Sequence, residues 1–225
     1  MKTDGASAPV LAIGLALVAG WVDAVGFVAL FGLFTAHVTG NFVLIGSELA
    51  RPSGGVLLKL LAFPAFIVAV AASRLIVLRL EADGRPALRA LLAAECLLLV
   101  GALAAGWSAA PVHDPGRPVA MACGLLLAAA MGVQNATARL VLASQVPTTV
   151  MTGNVTQLVI DAVDLARGAG GPELGPRARR FVVPIVAFAL GTIGGAVAYL
   201  NAGFAALLAP LAVLGSLVSR PLPKP

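Results

Sequence analysis

Charge is scarce in this chain. Only 11% of its 225 residues are Asp, Glu, Lys or Arg, against about 25% in an ordinary soluble domain. The polar surface needed to face water is missing, which excludes a soluble globular protein. Cysteine is almost absent. Cys96 and Cys123 fall in apolar stretches with no Cys or His at metal-ligand spacing, so they read as small core residues and no metal site is expected. The isoelectric point near 10 reflects 15 Lys and Arg that flank apolar runs. They form no basic tract with interleaved aromatics, so nucleic acid is not an expected partner. Phosphate-binding loops, His-Glu-x-x-His zinc motifs and Gly-x-Ser-x-Gly nucleophiles are also missing. Neither Ser47 nor Ser144 has a partner evident in the sequence, so no catalytic residue is nominated and no enzyme is expected. The longest polar stretch, about 163–180, is too short to fold alone, which excludes a nucleotide-driven pump within one chain.

What is present is apolar. Hydrophobic residues make up 60% of the chain and the mean hydropathy is +0.99. From Phe181 to Ser219 there is no charged residue. A helix needs about 20 apolar residues to cross a bilayer, so this run holds two, with Asn201-Ala202-Gly203 as the turn. Six runs are long enough to cross: about 8–33, 57–79, 88–108, 118–142, 181–200 and 203–219. Lys2 precedes the first, but that run outlasts a signal-peptide core and lacks a clear cleavage site, so it is read as a retained span.

Two more apolar pieces, about 37–50 and 147–162, are short. Phe42 to Ala50 as a helix would rise about 13 Å, under half of a roughly 30 Å hydrocarbon core. If neither piece crosses, one side carries Lys2, Arg74, Arg79, Arg85, Arg89, Arg139, Arg167, Arg177, Arg179, Arg180, Arg220 and Lys224. The other carries only Arg51, Lys59 and Arg117, a 12 to 3 split. Crossing by both would leave 10 and 5. The positive-inside rule favours the first arrangement. The expected fold is all-α: a polytopic membrane helix bundle of six spans, with both termini cytoplasmic and two half-membrane, re-entrant elements. Residues 1–225 form one integral membrane domain.

The chain also repeats itself. Gly20-Trp-Val-Asp-Ala24 and Thr39-Gly40-Asn41 return as Gly132-Val-Gln-Asn-Ala136 and Thr152-Gly153-Asn154, offset by 112 and 113 residues. The repeats cover about 8–110 and 118–220. With six spans the first copy starts inside and the second outside, giving two inverted three-span repeats, a recurrent design of secondary transporters.

Both copies put polar groups inside apolar runs. A charge at membrane depth costs about 2.5 kcal/mol or more on insertion scales, which makes Asp23 a candidate proton or cation site. Its repeat counterpart Asn135, beside Gln134, offers neutral oxygen ligands and amide donors. Thr39, Gly40 and Asn41, with Thr152, Gly153 and Asn154, suit the starts of half-helices. The N–H groups and positive dipole ends there would receive a small solute, anionic ones included. Alternatively, the two glycines only allow close crossing. His37 adds a titratable ring near the first break, with Thr149 at the aligned position. Arg139 reads as snorkelling and Glu95 as the partner of a basic residue near the inner face. Ala187, Gly191 and Gly195 lie at helix-packing spacing, for contact within the monomer or across a homodimer.

Gly20-Trp-Val-Asp-Ala-Val-Gly-Phe, His37-Val-Thr-Gly-Asn41, Met131-Gly-Val-Gln-Asn135 and Val150-Met-Thr-Gly-Asn154 resemble the YoaK-like family of bacterial membrane proteins (domain of unknown function 1275) over essentially the whole chain. The resemblance implies a small multi-pass protein of the bacterial plasma membrane and no assigned activity. The residues favour a proton- or ion-coupled transporter of a small solute, with no cofactor. The competing reading is a non-transporting assembly or sensor protein whose polar centre is structural.

Overall fold

The computed structural model describes residues 7–51, 54–169 and 171–219, and every regular element among them is helical. Helix α1 (Ser7–Ala29) is followed by a 3₁₀ turn (Val38–Gly40) and the short α2 (Asn41–Ala50). Then come α3 (Val56–Ala82), α4 (Leu88–Ala109) and α5 (Pro118–Leu140), then α6 (Met151–Ala166) and α7 (Leu174–Ala202). A 3₁₀ segment (Gly203–Leu207) leads into α8 (Leu208–Ser219). Five stretches among the described residues are long and apolar enough to cross a membrane: α1 from Pro9, α3, α4, α5 and the 46-residue Leu174–Ser219.

Local chemistry sets the ends. Proline opens α5 at Pro118, where a missing N–H costs nothing. Helix α1 stops at Ala29, short of the end of its apolar run, because Phe31 (φ 55°) and Gly32 (φ 79°) turn left-handed. The chain breaks again at Gly203 (φ 57°), at the turn expected there. By contrast, α7 begins at Leu174, not near 181. Leu174 and Ala178 are buried while Arg179 and Arg180 face out, so amphipathic spacing carries the helix through a stretch that composition marks as loop.

The two halves of the chain interlock. Helix α1 lies along α7, and α5 lies along α3, so the first helix of each copy packs on the third of the other. Between apolar helices in lipid, close van der Waals contact has to supply what the hydrophobic effect does not. Glycine supplies it here: a Cβ on Gly191 would lie 2.2 Å from the Leu17 carbonyl oxygen, and one on Gly195 2.5 Å from that of Trp21. Gly20 meets the Phe188 carbonyl in the same way, and Gly132 meets that of Phe66. The Ala187–Gly191–Gly195 stripe thus serves contact inside the monomer. Gly191→Ala is expected to destabilise the protein in detergent by about 1–3 kcal/mol, since backbone on both sides must part. Gly215→Ala, with nothing near its Cβ, should leave the thermal midpoint almost unmoved. Equal effects would show that the α1–α7 seam is not tight.

Directions follow from contacts. Gln134 of α5 bonds to Leu15 of α1, whereas Gly124 faces Leu30 and Leu33 beyond it. Helices α1 and α5 therefore run antiparallel. Leu17 and Trp21 meet Gly191 and Gly195 in order, so α1 and α7 run parallel.

Candidate functional site

The loop between α1 and the Val38–Gly40 turn folds back over the C-terminal half of α1, and Asp23 receives it. Buried Asp23 accepts hydrogen bonds at Oδ1 from the backbone N–H groups of Thr35 (2.7 Å) and Ala36 (2.9 Å) and from the Thr35 hydroxyl (3.2 Å). Its Oδ2 is hydrogen-bonded to His37 Nδ1 at 2.7 Å. One acidic side chain thus satisfies the unpaired amides of a broken helical element. His37, about one-third exposed, is held between the rings of Phe34 and Phe188 and so links the loop to α7.

The second copy repeats the layout with neutral groups. The Thr149 hydroxyl donates to Asn135 Oδ1 (2.6 Å), and Gln134 Nε2 reaches the Leu15 carbonyl (2.8 Å) and the Thr148 hydroxyl (3.2 Å). The pairs Asp23–His37 and Asn135–Thr149 are each 14 residues apart. In both copies an Asn side chain closes the loop seven residues back. Asn41 Oδ1 accepts from Phe34 N–H and its Nδ2 donates to the Phe34 carbonyl, while Asn154 Nδ2 donates to the Pro147 carbonyl.

The Thr-Gly-Asn tripeptides do lie at the starts of short helices, but their parts diverge. Asn41 and Asn154 are buried, whereas Thr39 and Thr152 are exposed and cap neither helix with a side chain. Two residues along a helix turn the side chain by about 200°, so Thr and Asn face opposite ways. The Asn41 amide is engaged at both ends by Phe34, which makes it a loop clamp. Gly40 sits against the Phe34 ring, and Gly153 meets only Val150 of its own turn. The close helix crossings fall at Gly20 and Gly132 instead. Arg139 is exposed near the end of α5.

Two further features escape a reading by motif. Lys59, fully buried at the start of α3, donates to Glu48 of α2 and to the Phe31 carbonyl, each at 2.6 Å. In the second copy Asp161 of α6, also buried, is held by Arg177 of α7 through Nε at 3.0 Å and a second guanidinium nitrogen, with Gln157 adding a bond at 2.7 Å. Glu48 and Asp161 each lie seven residues after the buried Asn of their tripeptide, so the repeat includes an acid–base pair joining short helix to long. That shared spacing is the signal that could have found them. Glu95, expected to pair with a basic residue, does not: it is fully buried in α4 and neither carboxyl oxygen has a hydrogen-bond partner. Leu91, Leu92, Glu95 and Leu99 share the buried face of α4, which turns the carboxyl inward. Among the described residues, no three His, Cys, Asp or Glu side chains gather as a metal site.

Residues 11–219 match the family model described as "Protein of unknown function (DUF1275)". The chain is also similar to the "UPF0700 transmembrane protein YoaK" of Bacillus subtilis (strain 168), 31% identical over 151 residues. That match covers 65% of this chain and 64% of the relative, so just under two thirds of the relative's length is spanned. No solved structure matches. With five apolar stretches long enough to cross a bilayer and a family match over nearly its whole length, the chain is a multi-pass membrane protein and belongs to the YoaK-like DUF1275 family.

Proposed function

We propose that this protein is a proton- or ion-coupled carrier of a small solute in the bacterial plasma membrane, rather than an enzyme. The observation that carries the reading is the doubled polar break: Asp23 with His37, and Asn135 with Thr149, each hold a loop before a short helix, on first helices that run antiparallel. Irregular backbone at membrane depth is tolerated only where protein buries it or where it lines a water-filled path. Two such breaks, inverted relative to each other, are the arrangement from which alternating access is built.

Six spans with both termini cytoplasmic fit these directions. The Gly203–Leu207 segment and α8 together rise about 28 Å, close to the hydrocarbon thickness. Helix α2 rises only about 15 Å and enters from outside, and α6, about 24 Å, enters from inside. The Lys59 end and the Arg177 end lie on opposite sides of the α1–α7 contact. Phe31 and Arg177 are each eleven residues from the Gly20–Phe188 crossing, on the order of 30 Å apart in all. The topology is checked by thiol labelling in intact cells: Ser47→Cys should react with an impermeant reagent, and Ala166→Cys only after permeabilisation. Labelling of both from outside would end the inverted arrangement.

Carriage itself is tested with purified protein. A solute that binds the folded state must raise its melting temperature by mass action, so small metabolites and ions are screened across pH and each hit is followed into uptake by reconstituted vesicles. A hit that enters vesicles only with the protein present supports the proposal; hits that never enter sink it. The competing structural reading draws on one observation, the full internal pairing of Asn41 by Phe34. It expects no solute-dependent shift at all.

A further inference from the structure

Helix α4 carries a carboxyl that none of the described residues answers with a hydrogen bond. Glu95 is completely buried, both of its oxygens are without a hydrogen-bond partner, and it lies about 10 Å along the helix from Leu88. Elsewhere each buried acid has at least one donor: Asp23 accepts from four groups, Glu48 is paired with Lys59 through Oε1 while its Oε2 has no hydrogen-bond partner, and Asp161 is held by Arg177 and Gln157. A buried carboxylate lacking such partners is so costly that the group takes up a proton instead.

Among the described residues, the elements packed on α4 bring no partner to this carboxyl. Helix α4 packs on α5, α8, the Gly203–Leu207 segment and α3. The 3₁₀ segment and α8 have no titratable side chain. Helix α5 offers Cys123, buried, and Arg139, exposed. On α3, Lys59 is committed to Glu48, while Arg74, Arg79 and Glu81 are exposed. On α4 itself, Cys96 adjoins Glu95 and Arg89 is exposed. A metal cation is not the fitting ligand, because among the described residues no cluster of three His, Cys, Asp or Glu side chains includes the carboxyl.

We propose that Glu95 is a proton-binding site of the membrane domain. It holds a neutral carboxylic acid in the arrangement described, and releases the proton when α4 shifts and water reaches it. In that step the O–H bond breaks, its electron pair stays on the carboxylate, and the proton passes to water. Within the carrier reading, on which this part rests, the coupling ion is then the proton and α4 is the helix that carries it.

The test is infrared spectroscopy of the whole protein in lipid vesicles at neutral pH, where a protonated carboxyl gives a C=O stretch clear of the amide band. Protein grown with carboxyl-¹³C glutamate identifies glutamate bands without any substitution. Of the other glutamates, Glu81 and Glu173 are exposed and Glu48 is paired. The expected result is one protonated glutamate band that shifts on labelling, shifts again in D₂O, and is missing from Glu95→Gln. Absence of any such band at neutral pH overturns the proposal, and so does a band retained in Glu95→Gln. A band that never responds to D₂O marks a sealed acid and removes the proton-carrying role. If Glu95→Gln does not fold, Glu95→Asp takes its place: the protonated band should then no longer shift with glutamate labelling, and a band that still shifts overturns the proposal. No solute is needed, so failure here is distinct from failure of the carrier reading.

Discussion

Lys59→Met is expected to lower the unfolding free energy in detergent by about 3–5 kcal/mol, the usual loss when one partner of a buried ion pair is removed. The Lys59 side chain is 1% exposed and that of Glu48 9%, so solvent does little to screen either charge. Removing Lys59 strands the Glu48 carboxylate and also frees the Phe31 carbonyl, at a residue with φ 55°. A non-glycine residue there costs of the order of 1–3 kcal/mol and persists only where its surroundings hold it. The loss should be partly recovered in Lys59→Met with Glu48→Gln, because the stranded charge is then gone. Arg177→Met should lose less, since the Arg177 side chain is 53% exposed and Asp161 keeps its bond from Gln157. The measurement is a denaturation series on the four proteins. Equal midpoints for Lys59→Met and wild type would show that the pair contributes nothing, and no recovery in the double variant would place the loss at Phe31.

That pair also shows where reading by sequence stops. Lys59 enters a charge count only as one of three residues assigned to the outer side, and the structure places it at the start of α3. The count says nothing about its burial, which depends on α2 folding back onto α3, a contact between elements. Asp23 and His37 were legible individually, as polar groups in or near an apolar run, and the loop that joins them is local enough to close over fourteen residues. The recurrence of the tripeptide at nearly constant offset was legible, but the opposite faces of Thr39 and Asn41 follow from helical rotation, which a motif does not encode. The start of α7 at Leu174 was hidden for a related reason. Composition sees arginine, glycine and proline, while the helix needs only Leu174, Ala178 and later residues on one face. Glu95 was visible as a lone acid, but its lack of a partner is a property of every helix around it at once.

Asp23→Asn and Asp23→Ala should separate the two functional readings, because they remove different things. In the alanine variant the N–H groups of Thr35 and Ala36 lose their acceptor, along with the Thr35 hydroxyl and His37. Leaving a buried donor unsatisfied costs about 1–3 kcal/mol, so a loss of about 3 kcal/mol or more is expected and the loop should come away from α1. Asparagine keeps a carbonyl oxygen where Oδ1 stood. It can retain the three bonds to Thr35 and Ala36 and present an amide N–H toward His37, whose Nδ1 then accepts. Its expected cost is about 1 kcal/mol, one bond made less well. If the carboxyl binds or couples a solute, Asp23→Asn should still fold yet lose the solute-dependent rise in melting temperature. For a ligand at one hundred times its Kd, that rise corresponds to about 2.7 kcal/mol of stabilisation. The loss would then exceed the change in basal stability, a pattern that a purely structural aspartate cannot produce. Should Asp23→Asn keep the full shift and normal uptake, Asp23 is a loop anchor only, and coupling has to lie elsewhere in the bundle.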